Sequence, residues 1–382
     1  MINRALALLL AMALPAAAAP KEFFVYFGTY TNAKTASEGI YRSRLDVATG
    51  ALSPAELAAP AKDPAWLALH PDGRFLYALD ESADSRRTPG KGLAAYALDP
   101  ATGALTLLNE QDTGSSGSCH LAVDATGRAL LVANYGGGGV SSVALQPDGR
   151  LGPVVSIILH TGSSANRARQ SAPHAHAVVI SPDNRFAYVP DLGIDQVVAY
   201  RLDPAQAKLA PHSGSPVKLP PGSGPRHLAF HPNAPFAYVI SELLCTMTAY
   251  RYDIAQGTLS PFQTISTLPP GEAIPEGTST AEVQVHPNGR FLYGSSRGAN
   301  TLVVYAVDSA TGKLTHIENV STRGKTPRHF ALDPTGTWLL AENQDSNTVA
   351  VFRVDPATGR LTPTGPLVTV PAPVCAVFVP VR

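Results

Sequence analysis

From residue 20 onward the hydrophobic positions come in short runs, each broken by a cluster of Pro, Asp, Asn or Gly. One unit, an apolar run, a tight turn and a second apolar run, recurs six times: AWLALHPDGRFLYALDE from Ala65, CHLAVDATGRALLVANY from Cys119, AHAVVISPDNRFAYVPD from Ala175, RHLAFHPNAPFAYVISE from Arg226, AEVQVHPNGRFLYGSSR from Ala281 and RHFALDPTGTWLLAENQ from Arg328. Each copy predicts an antiparallel hairpin, because Gly and Asn tolerate the tight turn and the flanking runs have strand length. A second unit interleaves with the first seven times: LDVATGAL, LDPATGAL, LQPDGRL, LDPAQAKL, YDIAQGTL, VDSATGKL and VDPATGRL, beginning at Leu45, Leu98, Leu145, Leu202, Tyr252, Val307 and Val354. In the Asp-x-Ala-Thr-Gly copies the Asp opens a type I turn and the Gly closes it, so these loops read as structural turns, not calcium or phosphate sites.

Four short strands per repeat of about fifty residues is the signature of a propeller blade. The seventh hairpin of the first kind is recovered if Val374–Val379 pairs with Phe23–Tyr30, followed by Gly39–Asp46 and Ala51–Leu57. The expectation is an all-β, seven-bladed propeller of four-stranded blades in one domain, residues 20–382, closed by strands from both chain ends.

Composition narrows the function. Lys+Arg and Asp+Glu both number 29, so the net charge is zero, and 45% hydrophobic against 15% charged residues excludes disorder. Nucleic-acid and anionic-membrane binding need clustered basic charge, and nothing in this balance supports either. The first nineteen residues stand apart: Arg4, an apolar stretch from Ala5 to Leu14 too short to span a bilayer, and small residues at Ala16–Ala18 read as a signal peptide. The mature chain is thus expected to be exported, periplasmic or secreted, without a membrane span, and to work as a monomer. Cys119, Cys245 and Cys375 are an odd number for an oxidising compartment and lack metal-ligand spacing, so they read as buried free thiols.

Strand direction in a propeller puts the start of the first strand and the end of the second on one face. The long connections Glu81–Lys91, His160–Pro173, Ser213–Pro225 and Thr267–Thr280 share that face, where sites are usually built. A constant offset of fifteen pairs Trp66 with Glu81, His120 with Tyr135, His176 with Asp191, His227 with Glu242, Glu282 with Arg297, and His329 with Gln344. Such residues could solvate a water-filled channel, yet a converging set of His, Arg and carboxylate in a concavity is also the expected form of a site.

At these positions the chain resembles the seven-bladed propeller lactonases, which include the propeller-type 6-phosphogluconolactonases and the fungal carboxy-muconate lactonising enzyme. The resemblance rests on RQSAPHAH at Arg169–His176, YVPDLGIDQVVAY at Tyr188–Tyr200, GPRHLAFHP at Gly224–Pro232, YVISEL at Tyr238–Leu243, AEVQVHPNGRFLYGSSRG at Ala281–Gly298 and GKTPRHFALDPTGTWLLAENQDSNTVAVF at Gly324–Phe352. It covers nearly all of the mature chain. It implies a lactone or sugar-acid substrate, no cofactor, and a catalytic set at His174, His176, Arg226, Glu242 and Arg297. Arg169, Gln170, Asp191, His227, Glu282, Arg328, His329 and Gln344 are expected to contact substrate. Family members both open and close lactone rings, so a muconate-type cycloisomerase stays open, as does a non-catalytic ligand-binding propeller.

Lactone opening needs a base to activate water and a cation or donor for the developing oxyanion. Either PHAH histidine, with Glu242 as its orienting partner, or Glu242 itself could be the base, and Arg226 and Arg297 could hold the oxyanion or an acidic substituent. His174 and His176, two apart, are expected on one side of a strand, where they could bind a metal, but a third ligand is not evident nearby in the sequence. There is no G-x-S-x-G elbow, so direct water attack without metal is preferred over a covalent intermediate. Rate is then expected to rise through an ionisation near the histidine reference of about 6.5. Export sits badly with a phosphorylated cytoplasmic sugar, so either the first nineteen residues are not an export signal or the substrate is an unphosphorylated sugar lactone or another extracytoplasmic lactone.

Overall fold

The second strand of each repeat opens as a continuous apolar run because both of its faces are covered. Along Phe236–Ser241, Ala237 and Val239 pack toward Tyr188 and Leu228, while Phe236, Tyr238 and Ile240 pack toward Val283, Leu292 and Val303 of the next sheet. A strand buried on both faces reads as a continuous hydrophobic run. The core therefore lies between sheets.

The computed structural model describes residues 20–32 and 34–382. The expected signal peptide at 1–19 lies outside the described residues. Seven antiparallel sheets form a ring, with no α-helix among the described residues and one 3-10 turn at Gln344–Ser346. No helix among these residues is long and apolar enough to cross a membrane. In one sheet Pro373–Pro380 is innermost and pairs antiparallel with Glu22–Thr29, placing Phe23 opposite Pro380, with Gly39–Asp46 and Glu56–Pro60 outside. The outer strand was expected from Ala51, but Leu52 makes only an isolated bridge to Leu45 and pairing resumes at Glu56, beyond Pro54, which has no N–H to donate.

Repeated tyrosines latch neighbouring blades. Tyr26, Tyr77, Tyr188, Tyr238 and Tyr293 donate their hydroxyls to the carbonyls of Gly103, Gly149, Gly257, Gly312 and Gly359, the turn glycines of the second repeat unit. Trp338 makes the corresponding contact through its indole N–H to Val47 O at 2.9 Å. Glycine is needed at Gly312 on two counts: its φ is +73°, and a Cβ there would sit 2.6 Å from the Phe236 ring.

Two irregularities shape the open face. The innermost strand carries a bulge between Ser118 and His120, between Pro225 and His227, between Thr280 and Val283, and between Pro327 and His329. Each extra residue is turned out of the ladder, which is how bulges re-aim side chains beside sites. In the sheet carrying PHAH, the innermost strand shrinks to Val179–Ile180, and Ala175 keeps only a single bridge to Asp191.

Candidate active site

A cavity of about 220 Å³ opens where these irregularities converge. Strand ends supply Glu81, Tyr135, Glu242 and Arg297, the PHAH segment supplies His176, and the long connection after His160 supplies Arg169. Two bulge residues, Cys119 and Arg328, complete the wall. A narrow inner extension of about 10 Å³ adds Trp66, Arg226 and His227. Larger clefts elsewhere, such as one of about 370 Å³ lined mainly by Pro182, Pro232, Pro235, Tyr252 and Ile254, lack converging arginines.

Glu242 is the electrostatic centre. Its Oε1 accepts from Arg169 at 2.7 Å, and its Oε2 accepts from Arg226 at 3.1 Å and pairs with Arg297 at 2.9 Å. Burial alone would raise its pKa, but Arg297, Arg226 and Arg169 overcome that and hold it down at about 2. Such a carboxylate is a poor proton acceptor. No contact joins it to His176, so the expected pairing of Glu242 with a histidine base is corrected: the arginines have claimed both of its oxygens.

Arg226 is also committed elsewhere, donating through Nη1 to Ala281 O at 2.8 Å and to His227 Nε2 at 3.1 Å. A guanidinium only donates, so His227 Nε2 accepts and its Nδ1–H donates to Glu282 Oε2 at 2.9 Å. Burial lowers the pKa of His227 to about 4, leaving it neutral. Beyond it, His329 meets Glu342 Oε2 at 2.8 Å, and Trp66 packs on His120, His227 and His329 with ring centroids 4.1–5.4 Å apart. This block of rings and carboxylates closes the inner end of the cavity.

The bulges explain which sequence candidates reach the open cavity. The offset of fifteen treats His227 as the inward residue opposite Glu242, whereas the register pairs Pro225 with Ser241 and His227 with Ile240, leaving Arg226 as the extra residue. The same shift sends Cys119 and Arg328 to the cavity and His120 and His329 toward the closed end. Of the residues expected to contact substrate, Glu282 and His329 lie in the block behind Arg226, outside the cavity lining, while His227 lines its inner extension.

Four other expectations change. Gln170 is fully buried and donates to Leu192 O and Asp195 Oδ1, bracing the loop that presents Arg169. Asp191 is fully buried as well: Oδ1 accepts the His174 and Gly193 N–H groups, and Oδ2 lies 2.6 Å from His160 Nδ1. Gln344 turns its amide toward Asp345 and does not line the cavity. His174 stacks face-on against Tyr135 at 4.3 Å and bonds Tyr135 O, while His176 meets the same ring edge-on at 5.4 Å from inside. Because PHAH has left the ladder, strand alternation does not put the two histidines side by side.

His176 is buried, and burial together with Arg226, His227 and Arg328 lowers its pKa well below the usual histidine value. Its Nδ1 lies 3.9 Å from Cys119 Sγ, and among the described residues no group hydrogen-bonds its Nε2. The Cys119 thiol donates to His176 O at 3.2 Å, and burial pushes its pKa up, so it is held as a thiol. All three cysteines are free and buried. Among the described residues no group of three or more His, Cys, Asp or Glu is arranged to hold a metal ion. Sequence reasoning missed Tyr30, whose hydroxyl donates to Glu81 Oε2 at 2.8 Å and whose ring lies under Arg328. Its place in the closing sheet, outside the repeats, gave no signal.

The family model described as lactonase, seven-bladed β-propeller, matches residues 24–378. The chain belongs to this lactonase family. It is 37% identical to the 6-phosphogluconolactonase of Bacillus subtilis, over 94% of this chain and 98% of that one. The 6-phosphogluconolactonase of Formosa agariphila is 30% identical over 70% of this chain and 74% of its own. Among solved structures, the periplasmic gluconolactonase of Pseudomonas aeruginosa matches with a TM-score of 0.87 at 34% identity, covering 94% of this chain and 100% of that one. Within the lactonase family the site described above therefore sits in a propeller matched along nearly its whole length.

Proposed function

We propose that this chain hydrolyses a sugar-type lactone by direct attack of water, without a metal, and that it does so outside the cytoplasm. The observation that carries this reading is the pairing of a neutral imidazole, His176, with an excess of cations in one small cavity: Arg169, Arg226, Arg297 and Arg328 against Glu81 and Glu242. Ring opening turns a neutral ester into a carboxylate through a tetrahedral oxyanion, so a positive cavity favours the transition state and product over the neutral ground state. His176 takes a proton from water as the water oxygen bonds to the carbonyl carbon. As the ring C–O bond breaks, the same proton goes to the departing ring oxygen. The low pKa keeps the imidazole ready as a base and makes its imidazolium a strong acid for the leaving alkoxide.

Export is supported by the signal-like first nineteen residues and by the likeness to a protein named as a periplasmic gluconolactonase. The test is enzyme-dependent proton release from glucono-1,5-lactone, corrected for spontaneous hydrolysis, after exhaustive chelator treatment. Acceleration is expected. Activity that disappears with chelator and returns with calcium or zinc would overturn the metal-free reading. A panel containing phosphorylated and unphosphorylated lactones assigns the substrate.

A further inference from the structure

The cavity holds four arginines, and three of them are tied to Glu242. Arg328 is different. Among the described residues its guanidinium makes no hydrogen bond or ion pair with a carboxylate, and its one recorded partner is the Tyr30 ring, 5.4 Å from the guanidinium carbon. That ring is itself fixed by the bond from its hydroxyl to Glu81 Oε2. The bulge between Pro327 and His329 turns Arg328 out of the ladder into the cavity. Arg328 is only partly buried, so its unpaired donors face the open cavity, where an entering oxyanion or carboxylate can accept from them. Burial works against its charge, and the neighbouring carboxylates Glu81 and Glu242 favour it, so the guanidinium stays protonated.

Its position relative to His176 gives the vacant donors a use. Arg328 and His176 line both the main cavity and its inner extension, together with Glu81 and Cys119, whereas Arg169, Glu242 and Arg297 line only the main part and Arg226 only the inner part. The two residues thus share the junction, the place where a reacting carbonyl can face a base and a cation together. Arg226 and Arg297 were the sequence candidates for the oxyanion, but both are tied to Glu242, Arg226 also to Ala281 O and Arg297 Nη2 also to Thr280 O, and among the described residues the buried Nε of Arg297 is left without a partner.

We infer that Arg328 is a further catalytic residue, donating to the lactone carbonyl oxygen as it becomes an oxyanion while His176 activates water on the other side. This rests on the hydrolytic reading above. Arg328 transfers no proton: its N–H groups pair with the oxygen that gains charge as the C=O bond opens and release it as the carboxylate forms.

The experiment compares wild type with Arg328→Lys and Arg328→Ala on glucono-1,5-lactone, with melting temperature and gluconate binding measured alongside. Arg328→Lys keeps the charge but loses the planar fork, so kcat should fall by about 10²–10³-fold, the usual loss on removing one oxyanion donor, while gluconate binding changes little. Guanidinium ion should restore part of the Arg328→Ala rate, and sodium chloride at equal ionic strength should not. A folded Arg328→Lys with wild-type kcat and a raised KM, or rescue by either salt alike, overturns the assignment. Wild type inactive on every lactone overturns the hydrolytic reading itself, a result separate from an active wild type indifferent to Arg328.

Discussion

Arg226 Nε donates to Glu242 Oε2 at 3.1 Å with both side chains almost wholly buried, so this pair anchors the site and does not perform its proton chemistry. Arg169 and Arg297 complete the cluster. Removing the carboxylate would leave three guanidiniums crowded in low dielectric, and breaking such a buried pair costs about 3–5 kcal/mol. Glu242→Gln is therefore expected to lower unfolding free energy in denaturant by about that amount at pH 7. The pH dependence has a definite sign. Glu242 is held at about 2, below its unfolded value, so its contribution is complete above the unfolded pKa and is lost as pH falls toward 2. Wild type should lose stability through that acid range more steeply than Glu242→Gln. Equal stability of the two proteins at pH 7 would contradict the anchoring role.

The histidine base makes a separate prediction about rate. His176 must be neutral to accept a proton from water, and burial with Arg226, His227 and Arg328 places its ionisation well below the usual value. The rise expected for an ordinary histidine base, centred near about 6.5, is displaced to lower pH. Enzyme-dependent rate, corrected for the spontaneous reaction, should stay level from pH 8 down through about 6 and fall only in more acidic solution. His176→Gln should lose about 10²–10⁴-fold. A half-maximal rate at the ordinary histidine pKa, or full activity in His176→Gln, would exclude His176 as base.

Much of this architecture was legible because it repeats. Seven turn units and six hairpins fix strand number and blade number, and Glu81, Tyr135, Glu242 and Arg297 sit at the cavity where strand ends were expected to converge. What period-2 reasoning could not supply was the bulge. One extra residue at Cys119, Arg226 and Arg328 exchanges the residue facing the cavity with the one facing the closed end, and nothing in CHLAV, RHLAF or RHFAL announces it. The PHAH segment misled for a related reason: Asp191 captures its backbone and takes it out of the ladder. Gln170 and Asp191 are polar residues consumed by backbone, a role that sequence alone does not separate from substrate binding.

The inter-blade latches predict stability changes without catalytic ones. Tyr238 donates to Gly312 O at 3.1 Å across the boundary between two sheets, far along the strand from the cavity end. Tyr238→Phe keeps the ring that fills the core and removes only the hydroxyl, leaving a buried carbonyl without its donor. The expected cost is about 1–3 kcal/mol. The melting temperature should fall while kcat on an accepted lactone is unchanged at a temperature where both proteins are folded. An unaltered melting temperature would show that the bond contributes nothing net.

The last prediction separates the two PHAH histidines through the residue that holds their backbone. Asp191 uses Oδ1 for the N–H groups of His174 and Gly193 and Oδ2 for His160, whose Nε2 lies 2.7 Å from the Tyr200 hydroxyl. His176 follows two residues later, its own N–H donating to Pro190 O at 2.9 Å. Asp191 therefore fixes His176 through the main chain while its carboxylate remains outside the cavity. Asn at this position offers one acceptor oxygen, so keeping the His174 and Gly193 bonds turns its NH2 toward His160 Nδ1 and forces that imidazole into the tautomer that accepts there and donates to the Tyr200 hydroxyl, resetting the loop that carries PHAH. A displacement of His176 by about 1 Å can cost on the order of 10²-fold in rate. Asp191→Asn is expected to lower kcat toward that extent, with a smaller effect on KM. His174→Ala, which loses a ring stacked outside the cavity on Tyr135, should keep most of its rate. If Asp191→Asn raised KM alone, Asp191 would have to touch substrate after all. If His174→Ala were as inactive as His176→Gln, the assignment of the base to the inner histidine would fail.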